Sequence, residues 1–310
     1  MAAAVGPVMD GGGPVLALVG PTGAGKSELA LEVAERVGAE IVAVDAFTVY
    51  RGMDVGTAKP DAAARQRIPH HCLDLLEVEQ EADVAWFQQA ARAAVAEVRR
   101  RGRIPLLVGG SGLYFRAVVD ALALPPTDPG VRAEVAQRYA GDPEAAHAAL
   151  RAVDPASAAR IDPGNLRRTV RALEVQALTG RPFSAFRTTW DDHTSVYPEL
   201  HVVGVQRDRA ELTARIAART EAMLAGGLKA ECRALSSRAL SATARSAIGY
   251  REVLAHLAGE CDLAEAAAVI RRRTRRYAVR QQRWFAADPR MHWTPPGEVV
   301  AALTRGAPGV

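Results

Sequence analysis

Val15-Leu16-Ala17-Leu18-Val19-Gly20-Pro21-Thr22-Gly23-Ala24-Gly25-Lys26-Ser27 is the stretch that decides the fold. Five apolar residues of β character break into a glycine-rich turn, and Glu28 to Val37 then sets Leu29, Val33 and Val37 on one helical face. Strand, turn and helix in that order are the context that G-x-x-x-x-G-K-[ST] requires of a phosphate-binding loop. The glycines let backbone N–H groups turn onto an anion, the helix N-terminus adds its positive end, and Lys26 brings a full charge. The expected diphosphate-binding set is Gly20, Pro21, Thr22, Gly23, Ala24, Gly25, Lys26 and Ser27. The Ser27 hydroxyl is placed to ligate a magnesium ion held by the same phosphates. A di- or triphosphate belongs on such a loop, and the loop alone leaves both open.

Outward from the loop, Glu40-Ile41-Val42-Ala43-Val44-Asp45 reads as a second buried strand ending on a carboxylate, at the sheet edge where open α/β sheets bind ligands. Ala46 to Pro60 has turn glycines and no strong period, an ordered surface loop. Pro69 to Leu75 reads as a short strand, and Asp83 to Arg101 as a helix with a basic last turn. Ile104-Pro105-Leu106-Leu107-Val108-Gly109-Gly110-Ser111-Gly112-Leu113-Tyr114 repeats the opening design of strand, glycine turn and helix. From Val131 to Arg187 the chain is alanine-rich and helical, punctuated by Asp142-Pro143, Asp154-Pro155 and Asp162-Pro163. A strand returns at Leu200 to Val205, and helical stretches follow near 208–226, 229–237 and 262–286. The expected fold class is α/β, a P-loop NTPase-like parallel sheet with helices on both faces plus an inserted all-helical domain. Residues 14–121 and 200–295 are expected to form the discontinuous catalytic core, 122–199 the helical insertion, and 1–13 and 296–310 flexible tails.

With 49% apolar residues in 310, the chain has enough apolar surface for a full core. No apolar run approaches membrane length, and Met1 to Gly13 lacks the charged and apolar regions of an export signal, so a cytoplasmic protein is expected. Cys72, Cys232 and Cys261 are scattered and show no C-x-x-C spacing, which argues against a disulfide framework or a zinc site. The first 120 residues are slightly acidic, and residues 121–310 carry the basic excess behind the net charge of +4. That asymmetry points to a polyanionic partner engaged through the later part of the chain.

Asp45 suits two roles, a water-mediated magnesium ligand or a general base beside the loop, against the ordinary alternative of capping its turn. Ser111 is either a turn residue or a phosphate ligand, and its position on the sheet edge favours the second. Arg215 and Arg219 lie one helical turn apart, for which a solvated face is the bland account. His70 and His71 have no paired acid at metal spacing. Ile270 to Phe285 is the second major signal: on a helix Arg273, Arg276, Arg280 and Arg283 form one stripe, while Ile270, Tyr277 and Trp284 are spaced to pack on the core. Like charges so crowded repel unless a polyanion meets them, and arginine suits phosphates and bases. Asn165 to Arg171 and Gly249-Tyr250-Arg251 add shorter clusters, and together they favour nucleic acid. The residues alone permit phosphoryl transfer, as in a P-loop small-molecule or nucleoside kinase, or a reaction with diphosphate as leaving group.

Gly20 to Ser27, Tyr50-Arg51-Gly52-Met53-Asp54-Val55-Gly56-Thr57-Ala58-Lys59-Pro60, Leu106 to Tyr114, Arg171-Ala172-Leu173-Glu174, Ile248 to Arg251 and Arg280-Gln281 through Trp284-Phe285 resemble, in order and spacing, the bacterial tRNA dimethylallyltransferases. The resemblance runs over roughly residues 15–295. It implies transfer of a dimethylallyl group from dimethylallyl diphosphate to N6 of adenosine 37 in tRNA, with Mg2+. By resemblance Asp45 is the base, Ser111 and Arg219 join Lys26 on the leaving diphosphate, and tRNA is met by Asp45, Ala46, Phe47, Thr48, Ser111, Arg132, Arg167, Arg168, Arg171, Ser246, Gly249, Tyr250, Arg251, Arg280, Gln281, Arg283 and Trp284. The partners implied are the tRNA anticodon stem-loop and dimethylallyl diphosphate, with no membrane, and the protein is expected to be a monomer. Ala46 and Thr48 depart from the family's usual Ser and Gln, Ser111 replaces Thr and keeps the hydroxyl, and Val279 replaces a common Lys.

Overall fold

The computed structural model describes residues 12–187, 190 and 192–305. Residues up to Val119 together with those from Ser195 form one compact unit, and Asp120–Thr194 form a second. The first unit begins with β1 (Val15–Val19), whose five residues are all buried, and α1 (Lys26–Val37), which Gly38 ends in the left-handed conformation at φ 66°. β2 (Ala39–Val44), α2 (Ala62–Arg67), β3 (His70–His71) and α3 (Val84–Arg100) follow, the last started by the Asp83 carboxylate accepting the Trp86 N–H at 2.8 Å. β4 (Ile104–Gly109) and α4 (Gly112–Val119) complete the first half.

The second unit is helical. It holds α5 (Pro129–Arg138), α6 (Pro143–Val153), α7 (Pro155–Ala158), α8 (Leu166–Thr179) and a 3-10 turn over Phe183–Arg187. Asp128, Asp142 and Asp154 each cap a helix whose first residue is proline, so Asp142-Pro143 and Asp154-Pro155 are helix starts, whereas Asp162-Pro163 is the turn it reads as, closed by the Asn165 N–H on the Asp162 carbonyl at 2.8 Å. Leu150, Ala158 and Ala172 make its small core. Glu174 is wholly buried there and is held by Arg132 Nε at 2.8 Å and Arg171 Nη1 at 2.9 Å.

The chain re-enters the first unit at Ser195, earlier than residue 200, because the Val196 N–H bonds the Val119 carbonyl at 2.7 Å. β5 (Leu200–Val205), α9 (Arg209–Ala225), α10 (Leu228–Leu235), α11 (Ala242–Ser246), α12 (Tyr250–Leu257), α13 (Leu263–Ala286), β6 (His292–Thr294) and α14 (Pro296–Thr304) follow. The six strands form one parallel sheet in the order β3-β2-β4-β1-β5-β6. Two apolar clusters cover its faces, one centred on Phe87, Phe115 and Phe285, the other on α1 and α14. Residues 296–305, expected as a loose tail, therefore belong to the core: Val299, Val300 and Leu303 bury a helix against the sheet. The tail expected at 1–13 lies outside the described residues except for 12 and 13, as do 306–310. Among the described residues no helix is long and apolar enough to cross a membrane.

Candidate active site

Gly23 and Gly25 hold the β1–α1 loop at φ 82° and 89°, a region that a side chain disfavours. Lys26 Nζ lies across the loop and donates to the carbonyls of Gly20 at 2.9 Å and Pro21 at 2.8 Å. Ser27 is exposed at the head of α1. Two arginines brace the loop from behind: Arg215 Nε donates to the Gly23 carbonyl at 2.8 Å, and Arg207 Nε to the Ala24 carbonyl at 2.7 Å. Arg215 is thus a structural partner of the loop rather than a solvated face. The signal for Arg215 was its place one turn before Arg219; Arg207 carried only its position just past β5.

Asp45 stands at the C-terminal tip of β2, and its Oδ1 accepts the Phe47 N–H at 2.8 Å in a local turn. Burial raises its carboxyl above the ordinary range, against the pull of that N–H bond, Lys26 and Arg219. Desolvation, then Arg219, lowers Lys26 from 10.5 to about 7, with Asp45 opposing. Arg219 is lowered by burial and held up by Asp45. The three half-buried side chains therefore lie near enough at the loop to shift one another, one carboxylate of raised basicity beside two cations. Tyr114 and Tyr277 border it, their phenols pushed up first by burial and then by Asp45.

The β4–α4 turn meets the loop from the side. A Cβ at Gly109 would lie 2.1 Å from the Val44 carbonyl, one at Gly110 2.4 Å from Gln281 Nε2, and one at Gly112 1.8 Å from the Trp284 indole. Ser111 sits half-buried among them. Gln281 on α13 is 5% exposed. Its Oε1 accepts the Thr22 N–H at 2.9 Å and its Nε2 donates to the Gly110 carbonyl at 2.8 Å. Gln281 was expected to touch RNA and is instead closed in between two loops.

Tyr50 to Pro60 is a polar knot. Lys59, 1% exposed, reaches the Tyr50 carbonyl at 2.5 Å, Asp54 at 2.6 Å and Asp74 at 2.5 Å. Glu231 accepts the N–H groups of Asp54, Val55 and Gly56 and the Tyr250 hydroxyl. Tyr250 is 1% exposed, and a Cβ at Gly56 would meet its ring at 2.4 Å. Tyr250 and Gly249, expected at the RNA surface, are buried because the knot needs that ring as its floor. Thr48 is buried as well, whereas Ala46 and Phe47 are half-buried and Ser246 and Arg251 are exposed.

On α13 the expected stripe divides. Arg273 pairs with the buried Glu252, and Trp284, expected in the core, is 39% exposed, with Gln281 and Phe285 taking the inner face. Arg209, Arg272, Arg275, Arg276, Arg280 and Arg283 rim a groove of about 560 Å³ between α9 and α13, floored by Leu212, Ile216 and Ala278. Among the described residues none of these six pairs with a carboxylate. In the helical unit Arg167 and Arg168 are exposed at the start of α8, whereas Arg132 and Arg171 are engaged by Glu174. Among the described residues no three His, Cys, Asp or Glu side chains cluster as a metal cage. The donors near the loop, the Ser27 hydroxyl and the Asp45 carboxyl, suit a magnesium ion carried mainly by substrate phosphates.

Residues 48–288 match the family model described as IPP transferase. The chain is 49% identical to a tRNA dimethylallyltransferase of Salinispora arenicola over 284 residues, covering 91% of this chain and 82% of the relative. It is 50% identical to one of a Nocardioides species over 283 residues, covering 90% of each. A crystal structure of tRNA isopentenylpyrophosphate transferase from Bacillus halodurans matches with TM-score 0.66 and 33% identity, over 94% of this chain and 97% of the other.

Proposed function

The chain belongs to the IPP transferase family, and from that premise we propose that it transfers the dimethylallyl group of dimethylallyl diphosphate to N6 of adenosine 37 in tRNA. The observation that carries this reading is the grouping of half-buried Asp45, Lys26 and Arg219 at the phosphate loop, each shifted by the charge of another. An exocyclic amine conjugated to a purine is a weak nucleophile. As its nitrogen bonds the allylic carbon, the C–O bond breaks and the diphosphate leaves with the electron pair. The Asp45 carboxylate takes the N6 proton, and its raised basicity serves that step. Lys26, Arg219, the loop N–H groups and the Ser111 hydroxyl meet charge that grows on the diphosphate in the transition state. A magnesium ion held with Ser27 would neutralise part of the diphosphate charge.

The reacting adenine must leave the anticodon-loop stack to reach a half-buried acid, which costs a few kcal/mol. Contacts far from the chemistry offset that cost. The arginine groove of α9 and α13 suits RNA phosphates, exposed Trp284 offers a stacking face, and Arg167 and Arg168 offer cations from the helical unit.

The test is incubation of the protein with tRNA, Mg2+ and labelled dimethylallyl diphosphate. Label in tRNA, with one diphosphate released per transfer, is expected. Nucleoside triphosphate turnover without tRNA, with no label transferred, would contradict the reading and favour a kinase.

A further inference from the structure

We propose that Gln281 is a positioning residue that fixes the distance between the diphosphate loop and the Ser111 turn, and that it acts on the diphosphate rather than on RNA. This deepens the transferase reading and rests on it. Thr22 and Gly110 offer opposite halves of a hydrogen bond, a backbone N–H and a carbonyl, and the primary amide of Gln281 answers both. The pairing settles the amide's orientation, with the oxygen toward Thr22 and the nitrogen toward Gly110. These partners are 259 and 171 residues away in the chain, so one side chain of α13 ties together turns that no local geometry connects.

The approach is close enough to dictate its neighbours. A Cβ on Gly110 would fall 2.4 Å from Gln281 Nε2 and 3.0 Å from the Gly20 carbonyl, so the two turns touch at this point. The amide is buried one helical turn after Tyr277 on α13, the phenol that borders Asp45. A site whose donors come from two separate loops works only while their spacing is held, since catalytic geometry is lost within fractions of an ångström. Gln281 supplies that hold from α13.

The test uses the full-length protein without RNA and inorganic diphosphate as probe. Gln281→Met keeps the length and removes both hydrogen bonds. We expect its diphosphate affinity to fall about tenfold, the scale of one buried hydrogen-bonding arrangement lost, with tRNA affinity within about twofold of wild type. In turnover the KM for the allylic diphosphate should rise while the KM for tRNA stays. Gly110→Ala, which pushes the amide aside from the other end, should reproduce the loss, and the double variant should be no worse than either single one. Weakened tRNA binding with diphosphate binding intact, or additive losses in the double variant, would overturn the assignment. Because wild-type label transfer is measured separately, failure here leaves the proposed reaction standing and failure there is recognised as such.

Discussion

The two strand-to-helix turns at the sheet edge share one sequence grammar and differ in what their glycines do. In the β1–α1 loop, Gly23 and Gly25 adopt positive φ, so the backbone curls around an anion and Lys26 crosses the cradle. In the β4–α4 turn, Gly109, Gly110 and Gly112 have no positive φ, and each is small because another group stands where a Cβ would be. One turn is built to receive a ligand, the other to be approached by the protein itself, by Val44, Gln281 and Trp284. A glycine-rich turn is thus two different physical objects, and only contacts from distant parts of the chain tell them apart.

Substitutions that treat the turns unequally sharpen this contrast. Lys26→Met should act on the ligand-receiving turn alone, lowering kcat/KM for the allylic diphosphate by ~100- to 1,000-fold with tRNA affinity unchanged, on the scale of a lost transition-state donor. Steady-state kinetics with each substrate varied checks it, and an equal loss in tRNA affinity would merge the two turns' roles. Gly109→Ala should act on the fold instead. Its methyl would press on the Val44 carbonyl, a backbone atom that moves only with its strand, and should cost about 1–3 kcal/mol in a urea titration. A change below about 0.5 kcal/mol would break the close-approach account.

The smallest effect is a proton. With Lys26 held at about 7 by desolvation and Arg219, the ammonium is half-populated at neutrality in the free protein. A bound diphosphate favours the charged form, so binding takes up a fraction of a proton per ligand, and affinity falls by at most about tenfold per pH unit above 7 after the ligand's own titration is subtracted. Calorimetry in two buffers of different ionisation enthalpy measures that uptake, which should vanish in Lys26→Met. Stability runs in the opposite direction with pH. Because the folded value lies below 10.5, Lys26 weakens the fold at pH below 7, and that cost is relieved as pH rises from about 7 to 10.5.

Local grammar carried much of this molecule. β1 with its loop, β2 ending at Asp45, β4 with its turn, and the long helices α3, α9 and α13 all announce themselves through period and punctuation, because each signal lies within one turn or one strand. Partner choice was illegible. A helical wheel placed Trp284 in the core and gave no reason to bury Gln281, since the hydrogen bonds that hold Gln281 come from residues 22 and 110. Arg132 and Arg171 were expected at RNA by resemblance, and Glu174 gives no sign in sequence that it is buried between them. Tyr50 to Pro60 was recognised as a motif and taken as a surface loop, yet its Lys59 is a buried structural cation. β6 and α14 escaped notice because three residues of edge strand and a nine-residue helix carry little periodicity.

The measurement closest to the central claim is the single-turnover rate of label transfer in a preformed complex of protein, tRNA and labelled dimethylallyl diphosphate, compared between wild type and Asp45→Asn. The account predicts a rate lower by ~100- to 10,000-fold, the range for a lost general base, with both substrates bound within a few-fold of wild type. Transfer at the wild-type rate in Asp45→Asn would contradict it.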